Sequence, residues 1–103
     1  MPSRAIEDYL KTIYKTEQKY DSVTNSLVAD QMGVKPASAT AMIKKLAKQK
    51  LVTHEPYHGI QLTDAGRKIA LEVLRHHRLI ELYLSEALGV PWDKVHAEAE
   101  NLR

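Results

Sequence analysis

From Leu27 to Lys50 a short helical segment, a glycine and a second helical segment follow one another almost without a break, and few folds accommodate that order. Ser26 is expected to cap the first segment, Leu27 to Met32, in which Leu27, Val28 and Met32 are apolar. Gly33 stands where helix C-termini favour glycine. Val34 is expected to be the buried residue of the turn. Pro36 suits the first turn of a helix, where its missing N–H costs nothing and its φ is already set. Ala39, Met42, Ile43, Leu46 and Ala47 then recur at helical spacing and form one apolar stripe. Short helix, glycine turn, helix is the helix-turn-helix pattern.

The second segment also carries a chemistry. Lys35–Lys50 holds five lysines and no acid, and Lys44, Lys45 and Lys48 lie largely off the apolar stripe. Its first turn is small: Ala37, Ser38 and Thr40. Short side chains let a helix N-terminus approach base edges, with hydroxyls for phosphates or bases and methyls for thymine. A lysine run is usually just a solvated face of a helix packed on a core. The flanking elements decide between these readings.

Upstream, Ser3 is expected to cap a helix running to about Lys19, with Ile6, Tyr9, Leu10, Ile13 and Tyr14 as its apolar stripe. Downstream, Leu51–Glu55 and Ile60–Thr63 read as two short strands joined by the turn Pro56-Tyr57-His58-Gly59. Two strands directly after a recognition helix make a wing, whose tip, Tyr57 and His58, would lie near phosphate or the minor groove. Thr63 is expected to cap a long helix from about Asp64, patterned through Ile69, Val73, His77, Ile80, Leu84 and Leu88 up to Gly89. Gly66 inside it predicts close packing against another backbone. The second half adds Leu79, Leu82 and Tyr83, a surface expected to meet a partner subunit. Pro91 opens a last helix, Trp92 to Arg103.

With 103 residues the chain makes one compact domain, or a domain with a helical extension. Aromatics are few and Phe is absent, so the core must be aliphatic. Net charge is only +2, but its distribution is uneven: residues 81–103 set five acids against Lys94 and Arg103. A basic half joined to an acidic half suggests two jobs. The absence of Cys excludes disulfides and thiolate metal sites and suits a reducing cytoplasm. No apolar run approaches membrane-spanning length. No nucleophile with its base, phosphate loop or H-E-x-x-H motif marks an enzyme or a small-molecule substrate site.

Two pairs in the acidic half have the spacing of a chelate. His77 and Glu81 stand four residues apart on the long helix, and His96 and Glu100 do so on the next. Each pair can grip one ion from adjacent turns. Imidazole with carboxylate suits Mn(II), Fe(II), Zn(II) or Co(II). On spacing alone the signal is weak, because a His–Glu pair on a helix is more often a hydrogen-bonded surface pair. His54, His58 and His76 have no such partner and read as surface or wing residues.

Four runs together resemble the diphtheria toxin repressor family of metal-dependent transcriptional repressors, and are more similar to its manganese transport regulator branch than to its iron branch. They are E-D-Y-L-K-T-I-Y, V-K-P-A-S-A-T-A-M-I-K-K-L, L-V-T-H-E-P-Y-H-G-I-Q-L-T-D-A-G and R-H-H-R-L-I-E-L-Y-L; their order and spacing together are specific, and the resemblance extends over nearly all of the chain. The resemblance implies a homodimer that binds a palindromic operator on double-stranded DNA when Mn(II), or next Fe(II), is loaded, repressing metal-uptake genes. It places Asp8 and Glu100 at carboxylate ligand positions of the manganese branch and His77 at the shared histidine. His77, Glu81 and His96 match the ancillary site of the iron branch. The chain departs from the manganese pattern at Lys11 and Arg103, and the family's next histidine lies beyond Arg103.

The expected fold is mainly α with a small β-wing: a winged helix-turn-helix followed by a long helix and the start of a helical dimerisation region. Residues 1–70 would form the DNA-binding domain and 71–103 the metal-binding and dimerisation helices, incomplete as the sequence stands. Lys35, Pro36, Ala37, Ser38, Thr40, Lys44, Lys45, Tyr57 and His58 are the candidate DNA-binding residues. Asp8, His77, Glu81, His96 and Glu100 are the candidate metal ligands. Two other readings remain from the sequence: a winged-helix DNA binder without metal sensing, and a winged helix used for protein interaction.

Overall fold

The computed structural model describes residues 3–55 and 58–102, so Tyr57 and Arg103 lie outside the described residues. The elements run α1 (Arg4–Glu17), α2 (Asn25–Met32), α3 (Pro36–Lys48), β1 (Val52–Glu55), β2 (Gly59–Leu62), α4 (Asp64–Glu86) and α5 (Trp92–Leu102). Three helices, an antiparallel hairpin and a long helix in that order form a winged helix-turn-helix followed by helical elements. The chain divides into two compact units between Leu71 and Glu72.

The first unit is closed by its helix ends. Ser3 Oγ accepts the Ile6 N–H at 3.2 Å and starts α1. The helix stops at Glu17 rather than Lys19, because the Lys19 and Tyr20 N–H groups both turn back to the Thr16 carbonyl. Thr24, not Ser26, caps α2: its backbone is extended and its Oγ1 accepts the Leu27 N–H at 3.1 Å. That moves the start of α2 to Asn25. Gly33 ends it at φ 68°, a left-handed conformation that glycine adopts without steric cost. Val34 does not fill the turn and is 37% exposed. Its anchor is the backbone, whose N–H returns to the Ala29 carbonyl at 3.0 Å.

Pro36 lies in the first turn of α3, whose Ala39, Ile43 and Leu46 are buried while Met42 and Ala47 are half-buried. They join Leu10, Ile13, Val28, Val52 and Ile60 in one core, which is not the purely aliphatic one expected, because Tyr9 is also buried in it. Fully burying a side chain of this size contributes roughly 1.5–3 kcal/mol.

The hairpin pairs Val52 with Leu62 and Glu55 with Gly59. Each strand sits one residue away from its expected start. Leu51 stays out of β1 and takes the Thr63 N–H on its carbonyl, and Thr63 stays out of β2 to cap α4. Gly59, at φ 68°, faces the loop before α2, where a Cβ would come within 2.7 Å of the Val23 carbonyl oxygen. Close approach allows the Ile60 N–H to donate to that oxygen at 2.9 Å.

The second unit is the later part of α4 with α5. Leu84, Val95 and Ala99 are buried in a small core, with Ile80 and Val90 packed against it. α4 ends at Glu86, two residues short of the apolar pattern, and the Val90 N–H closes the turn on the Leu84 carbonyl. Leu79, Tyr83, Leu88 and Leu102 are exposed. No helix among the described residues is long and apolar enough to cross a membrane.

Candidate functional site

In the second unit, helical spacing brings polar groups from α4 and α5 around one imidazole. His77 is on the apolar side of α4 and is only 8% exposed. Its Nε2 lies 3.0 Å from Nδ1 of His96 and 3.6 Å from a carboxylate oxygen of Glu81. Its Nδ1 lies 3.4 Å from a carboxylate oxygen of Glu100. The two rings are tilted by 59° with centroids 4.8 Å apart. One ring therefore has a carboxylate on each side and a second imidazole against its Nε2.

The donor set fits a divalent cation. His77, His96 and Glu100 each offer a ligand atom, all within 4.8 Å of one another. As ligands, imidazoles are neutral, so the charge of the set comes from the Glu100 carboxylate, with that of Glu81 beside it, and opposes that of a divalent ion. All donors are nitrogen or oxygen, a set that suits borderline and hard metals. The geometry also separates two roles. A histidine that ligates through Nε2 commonly donates its Nδ1–H to a carboxylate, which fixes ring orientation. Glu100 stands in that place if the ion is held by Nε2, and becomes a ligand itself if the ion is held by Nδ1.

Asp8, the remaining candidate ligand, is a half-buried residue of α1 in the first unit, one turn before the half-buried Lys11. His54, His58 and His76 are exposed, and none belongs to a ligand cluster among the described residues.

The candidate nucleic-acid surface is built on α3 and the hairpin. Lys35, Pro36, Ala37 and Ser38 are all exposed at the start of α3, and no side chain caps that helix. Lys44 and Lys45 are exposed farther along it, and His58 is exposed beside the wing turn. Thr40 is half-buried and receives a hydrogen bond from the Asn25 side chain at 3.1 Å. Sequence reasoning did not single out Asn25. Its one signal was position at the start of α2, and placing the cap at Ser26 hid it.

Comparison with known proteins gives these features a family. Residues 1–60 match the N-terminal DNA binding domain of the iron dependent repressors, and residues 63–103 match their metal binding and dimerisation domain. The HTH-type transcriptional regulator MntR of Geobacillus kaustophilus is 32% identical over 102 residues, covering 99% of this chain and 72% of that protein. The diphtheria toxin repressor of Corynebacterium jeikeium is 32% identical over 93 residues, or 90% of this chain and 39% of that protein. Among solved structures, a manganese-dependent transcriptional repressor in complex with manganese superposes with a TM-score of 0.82 at 43% identity, covering 94% of this chain and 44% of that one. ScaR with bound Zn2+ gives 0.84 at 39% identity, covering 98% and 46%. The chain thus spans less than half the length of these solved relatives. By both domain matches and by the winged helix they share, the chain belongs to the iron-dependent repressor family of metal-dependent, DNA-binding transcriptional regulators.

Proposed function

We propose that this protein is a manganese-responsive repressor of metal-uptake genes, acting in the cytoplasm as a homodimer on a palindromic operator. The observation that carries the reading is His77, an inward-facing imidazole set among His96, Glu81 and Glu100. Mn(II) is the first choice of ion and Fe(II) the second. Support comes from the all-nitrogen-and-oxygen donor set and from the manganese-dependent repressor at 43% identity.

Bound there, a divalent ion supplies the positive charge that joins donors on separate helices. The residues of this chain do the rest. His77 and Glu81 present donors from α4, the helix that begins next to the wing, and His96 and Glu100 present theirs from α5. Lys35, Pro36, Ala37, Ser38, Thr40, Lys44 and Lys45 meet the DNA, with Tyr57 and His58 of the wing. Leu79, Leu82 and Tyr83 supply apolar surface to the second protomer. Operator half-sites a helical turn or its multiple apart require two recognition helices at a set spacing. His77, Glu81, His96 and Glu100, drawn together on an ion, would favour the geometry that has it, and by linkage DNA would tighten metal binding.

The test is fluorescence anisotropy at fixed salt, using a labelled duplex that the protein selects from a random-sequence library in the presence of Mn(II). Mn(II) is expected to tighten binding about 5- to 150-fold over chelator-treated protein, the usual range for linked sites. His77→Ala is expected to remove the difference. Equal affinity with Mn(II) and with chelator would leave a winged helix without a metal switch.

A further inference from the structure

Asn25 and Thr40 lie on consecutive helices, and the Asn25 Nδ2 donates to the Thr40 Oγ1 at 3.1 Å. The Asn25 Oδ1 is buried and has no hydrogen-bond partner among the described residues. Turning the amide over would put two N–H donors into that closed spot in place of one acceptor, leaving more groups unmet. The amide is therefore the donor of this pair.

A threonine hydroxyl has one proton and two acceptor sites. Asn25 fills an acceptor site, and the proton is left over. Elsewhere in the chain the proton is used internally: the Thr16 Oγ1, on a buried residue, donates to the Thr12 carbonyl at 2.7 Å. No protein acceptor among the described residues takes the proton of Thr40.

From this geometry we infer that Asn25 is a positioning residue for DNA recognition, which fixes the Thr40 hydroxyl as a proton donor toward the nucleic acid. Its target is an acceptor atom of the duplex, either a phosphate oxygen or a base edge that offers one, such as thymine O4 or a purine N7. Asn25 need not touch DNA itself. The inference rests on the reading of α3 as the helix that meets DNA.

The experiment uses the same selected duplex, Mn(II) and fixed salt, with Thr40→Val, Asn25→Ala, Asn25→Asp and the two double variants. Valine keeps the shape of threonine without its hydroxyl. Aspartate keeps the shape of asparagine but only accepts, so it takes up the Thr40 proton. In the first turn of α2 an acid suits the helix dipole, whereas its second oxygen would be buried unmet, so circular dichroism checks the fold of each variant. Each single variant is expected to bind roughly five- to tenfold more weakly, the range of one hydrogen bond. Neither Asn25 change should weaken Thr40→Val further. Loss spread evenly over base-substituted duplexes marks a phosphate acceptor, and loss confined to one base pair marks a base edge.

Unchanged affinity of both Asn25 variants beside a weakened Thr40→Val would overturn the inference while leaving Thr40 at the interface. So would Asn25 losses that persist in full in the Thr40→Val background. Unchanged affinity of Thr40→Val would remove Thr40 from the interface, and the inference with it.

Discussion

Replacing Gly66 by alanine sets two effects of opposite sign against each other. In a helix, alanine is favoured over glycine by about 1 kcal/mol. Against that, a Cβ on Gly66 would run into the Leu51 carbonyl oxygen and lie 3.0 Å from its carbon. The obstacle is backbone held in a bonded turn. The Leu51 oxygen accepts the Thr63 N–H at 3.1 Å, and the Thr63 hydroxyl donates to the Lys50 carbonyl at 2.8 Å while capping the Gly66 N–H. Overpacking costs about 1–3 kcal/mol, and a broken hydrogen bond about 1 kcal/mol more. The clash wins, and after the propensity gain is subtracted Gly66→Ala should be less stable by about 1–3 kcal/mol. For a domain of this size that lowers Tm on the order of 5–20 °C. Circular dichroism during heating and urea titration measures it. A Tm equal to or above that of the unsubstituted protein would show that helix propensity alone governs the site and that the close approach to Leu51 is absent.

Thr24→Ala should cost about 1 kcal/mol through loss of the α2 cap, whereas Ser26→Ala should change stability by no more than a few tenths; paired urea titrations compare them. Lys44→Ala and Lys45→Ala should each lower the slope of log affinity against log salt by about 0.9 for every phosphate the variant leaves unneutralised, read from anisotropy at several salt concentrations. An unchanged slope would make these two lysines solvated bystanders.

Much of the fold was legible because it rests on local chemistry. The stripe from Ala39 to Ala47, the left-handed glycine at Gly33, the Thr63 cap and the tight fit at Gly66 are each determined within a few residues, or by what a missing Cβ implies. Errors arose where neighbours offer the same chemistry. Thr24 and Ser26 both carry a hydroxyl, and only the extended backbone at Thr24 selects it. Val34 was expected inside because it is apolar, but backbone bonding holds the turn. The site divides in the same way. The pairs His77–Glu81 and His96–Glu100 follow from helical periodicity. The approach of His96 to the Nε2 of His77, and of Asn25 to Thr40, joins residues on different helices, and no local pattern encodes it.

The hydrogen bond from Ile60 to Val23 bears on the thermodynamics of association. A two-stranded hairpin alone is marginally stable in water. Here the loop before α2 ties β2 at one further point, the Ile60 N–H to the Val23 carbonyl, and Ile60 and Val52 anchor both strands in the helical core. The strands are thus ordered when the domain folds, before any DNA arrives. Ordering flexible segments on binding subtracts directly from affinity. Strands fastened in advance carry little of that penalty, so if the wing meets DNA as proposed, even weak phosphate contacts from its exposed side chains would count as net attraction.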